Sequence, residues 1–114
     1  MISKEIIEQA VGKEAINLQN ESLGQVVDLK YGSENNAVHY LILKCSNFEK
    51  YDKGNHYFAI PACHDYVKIS EGAEMKFDVR HPELQSAKGL RLQDCPTPPP
   101  SMSPLIYEIY DYKA

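Results

Sequence analysis

The spacing of apolar residues changes character along the chain. Between Ser3 and Val11, the pairs Ile6/Ala10 and Ile7/Val11 recur four residues apart and so share one stripe of a short helix. Ser3 suits its start, because its hydroxyl accepts from the free N–H groups of the first turn, and Glu5 complements the positive helix end. Ile2 and Ile7 stand at the positions of a hydrophobic staple, and Gly12 is the expected stop. So short a helix is marginal alone and has to dock.

From Lys13 onward the period is two. Ala15, Ile16 and Leu18 predict a first strand, and Asn20-Glu21-Ser22 a polar turn. In the second strand Val27, Leu29 and Tyr31 alternate with Asp28 and Lys30. Val26 stands out of phase, which a β-bulge between Gly24 and Asp28 accounts for. Gly32-Ser33-Glu34-Asn35-Asn36 predicts a hairpin loop. The third strand, 37–45, carries Leu41, Ile42 and Leu43 in a row, the mark of burial on both faces. After a polar loop over 46–55, His56 to Ile60 predicts a fourth strand ended by Pro61, and Tyr66 to Ile69 a fifth. Met75, Phe77 and Val79 alternate with polar neighbours in a sixth, and Pro82 to Ala87 predicts one helical turn.

Six short strands punctuated by turns point to a small barrel or sandwich. The order of Leu23-Gly24-Gln25-Val26-Val27-Asp28-Leu29, Val38-His39-Tyr40-Leu41-Ile42-Leu43, Tyr57-Phe58-Ala59-Ile60-Pro61 and Phe77-Asp78-Val79 with Glu83-Leu84 and Ala87 resembles the PRC-barrel family. That domain is shared by the photosynthetic reaction-centre H subunit and the C-terminal half of a ribosome-maturation factor. The resemblance implies a mainly β fold, a six-stranded PRC-type barrel over 13–90 closed around Leu41, Ile42, Leu43, Phe58, Ile60 and Phe77. A helix over 1–12 precedes it and a Pro-rich extension over 91–114 follows. No segment corresponds to the reaction-centre subunit's membrane helix, so an electron-transfer role is not implied.

In the extension, Pro96, Pro98, Pro99, Pro100 and Pro104 make a stiff linker. The segment from Leu105 to Tyr112 then turns apolar and aromatic. Ser103-Pro104 is a good helix start, whereas Ile and Tyr favour a strand, towards which the reading leans. Leu105, Ile106, Tyr107, Ile109, Tyr110 and Tyr112 are the interface candidates. They cover either the chain's own sheet or a second copy's, the latter giving a homodimer by strand addition or segment exchange.

Bulk properties narrow the function. The 114 residues form one domain with ordinary apolar (43%) and charged (25%) content. A net charge of −4 with scattered lysines gives no phosphate-binding stripe, so nucleic acid is not an expected partner. The apolar runs fall far short of the ~20 residues of a membrane span, and no secretory leader is visible, which places the chain in the cytoplasm. Three unpaired cysteines, Cys45, Cys63 and Cys95, fit neither a disulfide framework nor a zinc ribbon.

Cys63-His64-Asp65 with His56 is the one grouping that resembles a metal or nucleophile site. Adjacent residues on an extended segment point opposite ways, so His56, Cys63 and His64 stay weak metal candidates, and no cofactor is expected. His39, beside the apolar run, is a hydrogen-bonded structural residue, an exposed one or a pH-sensitive group. Glu21, Asp28, Glu34 and Glu49 form no catalytic pair, and neither a phosphate-cradling Gly-rich loop nor a Gly-x-Ser-x-Gly elbow occurs. The chain therefore reads as a non-catalytic protein-interaction or scaffolding module whose protein partner is unknown. A ligand- or metal-binding regulatory barrel is the alternative, and an accessory role in ribosome or RNA metabolism is another.

Overall fold

A computed structural model describes residues 4–32, 37–45, 56–63, 65–69, 75–95 and 105–112. In chain order these form α1 (Lys4–Glu8), β1 (Glu14–Ile16), β2 (Ser22–Tyr31), β3 (Val38–Cys45), β4 (His56–Pro61), β5 (Val67–Ile69), β6 (Met75–Phe77), α2 (His81–Gln85), β7 (Lys88–Leu90), a 3-10 turn (Leu92–Asp94) and β8 (Tyr107–Ile109). Six strands make one sheet in the order β1-β2-β3-β4-β8-β7, and β5 and β6 pair separately. Among the described residues every strand pairing is antiparallel except β7 with β8. That parallel pair is joined through residues 91–106, and parallel neighbours need a crossover of about a dozen residues or more.

The mainly β expectation holds, but the six-stranded PRC-type barrel does not form. A closed barrel joins its first strand to its last. Here the sheet runs from β1 to β7 with no described pairing between those ends, and β8 takes the edge of β4, pairing Tyr57 with Ile109 and Ala59 with Tyr107. The β5–β6 hairpin stays a separate two-stranded sheet that meets the end of β1 through a single bridge, Asn17 to Phe77. The result is a layered sheet covered on both faces.

Alternation in β3 and β4 divides the core accordingly. Leu41, Leu43, Phe58 and Ile60 face inward onto Ile7 and Ala10, Val67 and Phe77 of the hairpin, and Leu84 of α2. Ile42 points to the opposite, outer face with Tyr40, Ala59 and Ile109. The residues assigned to one closed centre are all buried, yet they serve two clusters.

Local chemistry sets the register. The bulge lies where Val26 is opposite Leu43 and Asp28 opposite Ile42, leaving Val27 extra. Gly24 has φ +132°, and a Cβ there would stand 2.1 Å from the Lys44 carbonyl oxygen, so both conformation and space demand glycine. Asn17, fully buried, organises the β1–β2 turn. Its Oδ1 accepts from the backbone N–H groups of Gln19 (3.0 Å) and Glu21 (2.9 Å), and its amide donates to Glu21 Oε1 at 3.0 Å. α1 ends at Glu8, short of the expected Val11; Ile7, and Ala10 in the turn that follows, are buried, whereas Ile6 and Val11 are exposed. Gly12 then turns the chain with φ +90° and donates its N–H to Val26 O.

Candidate functional site

The C-terminal segment is a strand in cis. Its period-two alternation sends Ile106 into the inner core and Ile109 into the outer one, so it is clamped from both sides of the sheet. Glu108 lies opposite Phe58, and its Oε2 sits 3.1 Å from His56 Nδ1. The two flanking apolar residues are left outside: Leu105 is 60% and Tyr110 66% exposed.

Beyond β8 the chain turns back over the outer face. Tyr112 stacks on Tyr57 with ring centroids 4.5 Å apart and planes 17° from parallel. Its hydroxyl donates to Asp28 Oδ2 at 3.1 Å, which anchors the segment to β2 across the sheet. Burial first, and this hydrogen bond second, raise the Tyr112 phenol above its ordinary pKa. Asp111 accepts the Leu92 backbone N–H at 2.9 Å, and the Lys30 ammonium donates to the Leu92 carbonyl. Leu92 and Cys95 are thereby held over Tyr40, whose phenol burial pushes upward, with Cys95 a lesser cause.

Tyr110 lies against β7. The ring lies next to Gly89, where an added Cβ would stand 3.5 Å from Tyr110 Cδ1, an ordinary contact distance. Arg91, just past β7, pairs its Nε with Asp94 Oδ2 at 2.8 Å. The exposed face of this corner is therefore Tyr110, Gly89 and Arg91. Only Tyr110 was legible beforehand, because Lys88-Gly89-Leu90 carries no strand pattern and β7 exists through its pairing with β8.

The metal candidates are not gathered. His56 begins β4, whereas Cys63 follows its end, and a strand rises ~3.3 Å per residue, which sets the two far apart. His64 lies outside the described residues. Among the described residues no group of three or more His, Cys, Asp or Glu side chains is placed to hold a metal ion. Cys45 is buried and donates to the Leu23 carbonyl, and burial pushes its thiol up to about 12. His39 is half-buried with its ring against Gly32, where a Cβ would meet Nε2 at 2.4 Å. No described helix is long and apolar enough to cross a membrane.

Compared with known proteins, the chain matches no protein-family model and no curated sequence.

Proposed function

We propose that this chain is a non-catalytic protein-interaction module whose contact surface is the outward side of its C-terminal segment. The observation that supports this reading is the division of labour within residues 105–112. Ile106 and Ile109 are inside at 9% and 2% exposure, while Leu105 and Tyr110 are the two most exposed large apolar side chains described. Both flank one short strand that is hydrogen-bonded to a neighbour on each side. Tyrosine offers large apolar area with a polar tip at little entropic cost, which is why it is enriched where proteins meet. The partner is another protein, and a homodimer is one form the contact takes.

The test is a Leu105→Ser/Tyr110→Ser double variant. Neither side chain supports a core, so unfolding free energy should move by no more than about 0.5 kcal/mol per site. Elution behaviour and affinity capture from native lysate are then compared with the parent chain. Loss of captured protein or of a dimeric species, with the circular dichroism spectrum retained, supports the reading. Unchanged elution and unchanged capture overturn it.

A further inference from the structure

At the other end of the sheet lies a cleft of about 200 Å³ between α1, β1 and β6. Its floor is Ala10, Val26 and Phe77, all buried, and Ile6 and Met75 form its walls. Ile6, 38% exposed, is one of the lining residues rather than part of the buried core. The volume suits a single ring, since an engineered apolar cavity of roughly 150 Å³ takes benzene. A thioether beside a ring is a favourable contact as well.

The polar residues of the lining carry both signs of charge, Lys13 and Glu14, together with Gln9. Their backbone is fixed, because Val26 donates its N–H to Lys13 O (3.0 Å) and Gly12 donates to Val26 O (2.7 Å). One Glu14 carboxylate oxygen accepts from Ser22 Oγ at 3.2 Å. The Lys13 ammonium has no partner among the described residues, and Lys76 on β6 is engaged elsewhere, with Asn20 Oδ1 at 2.9 Å.

We propose that this cleft binds a free α-amino acid with an apolar, ring-sized side chain. The ligand's side chain would lie on Phe77 and Val26, its carboxylate on Lys13 and its ammonium on Glu14. A simple organic acid would leave Glu14 facing its carboxylate, and a simple amine would face Lys13. The zwitterion satisfies both charges at once.

The experiment is an amide-resolved NMR titration of the full chain with L-phenylalanine. Glycine, 3-phenylpropionate and phenethylamine serve as comparison ligands. Saturable shifts at Ala10, Lys13, Glu14 and Met75, with a Kd on the order of 1 mM, are expected. Each single-charge comparison ligand, and each of the variants Lys13→Gln and Glu14→Gln, should weaken binding about tenfold. Both residues are exposed, so the variants should fold. Non-saturable shifts, glycine equal to phenylalanine, or 3-phenylpropionate binding as tightly as phenylalanine would each overturn the proposal. Because Leu105 and Tyr110 take no part, a result here leaves the C-terminal contact surface untouched, and the reverse also holds.

Discussion

On the inner face of the sheet, Leu41, Leu43, Phe58 and Ile60 pack against α1, the β5–β6 hairpin and α2, and side-chain shape closes the layer. On the outer face, Tyr40, Ile42, Ala59 and Ile109 lie under Leu92, Cys95 and Tyr112, and the covering segment is pinned by polar contacts at Asp28, Lys30 and Asp111. The inner cluster draws on more of the chain and buries more apolar side chains. Its stability is therefore spread over many contacts, while the outer cover depends on few. A cover of that kind opens at lower free energy than the body beneath it. The same segment carries the proposed contact surface, so the part of the molecule that meets a partner is also the part held by fewest anchors.

The largest expected effect tests the inner side. Phe58→Ala leaves a cavity in the middle of the sheet and should cost about 3–5 kcal/mol in urea unfolding, with an unchanged m-value. A loss under about 1 kcal/mol would mean that the inner face does not dominate. Next comes Gly24→Ala, which forces a Cβ against the Lys44 carbonyl at a positive φ. It should cost about 2–4 kcal/mol, read as a lowered thermal midpoint.

Much of this architecture was legible from residue pattern alone, for reasons that separate it from what was not. The bulge in β2 announced itself because Val26 breaks alternation beside a glycine, and it lies where Val26 and Asp28 bracket Val27. The run Leu41-Ile42-Leu43 correctly implied burial on both faces. The same run was expected at the centre of a closed barrel, and it lies instead in a sheet with a cover on each side. The cover comes from residues after Leu90, beyond the family resemblance, so nothing in the quoted motifs accounted for it. β7 was invisible because Lys88-Gly89-Leu90 pairs only by virtue of β8, a tertiary effect with no local signature. Asn17 fell within the expected first strand and carried no signal of its own, yet its amide holds the turn together from a fully buried position. Of the site, the apolar tail was legible, but which side chains face inward was not, because that depends on the register of β8 against β4.

Removing the tail's outer anchor sharpens the comparison further. Ile109→Ala should cost about 2–4 kcal/mol if opening of β7 and β8 is coupled to global unfolding. The smaller the coupling, the more of that loss appears only as faster hydrogen exchange at Tyr107 to Ile109 and Lys88 to Leu90, with β3 amides unchanged. Uniform acceleration through β3 would mean that the two faces open as one unit.

The smallest effect isolates the polar clasp. Tyr112→Phe keeps the stack on Tyr57 and removes one hydrogen bond to Asp28, for an expected loss of about 0.5–1.5 kcal/mol. If the two groups act as a pair, Asp28→Asn and the double variant should show non-additivity of the same order. The pH dependence has a definite sign. The Tyr112 phenol is raised in the folded chain, so the folded state holds its proton more tightly than the unfolded state. Its contribution is complete below the ordinary phenol value of 10.0 and is lost as pH rises through the raised one. Tyr40 shifts the same way, and Cys45 moves from 9.0 to about 12, so the parent chain should weaken from about pH 9 upward. Tyr112→Phe should flatten part of that alkaline loss while leaving the part due to Tyr40 and Cys45. An identical alkaline profile in the variant would mean that the Tyr112–Asp28 bond adds nothing to the outer cover, leaving the Lys30 and Asp111 contacts as its polar anchors.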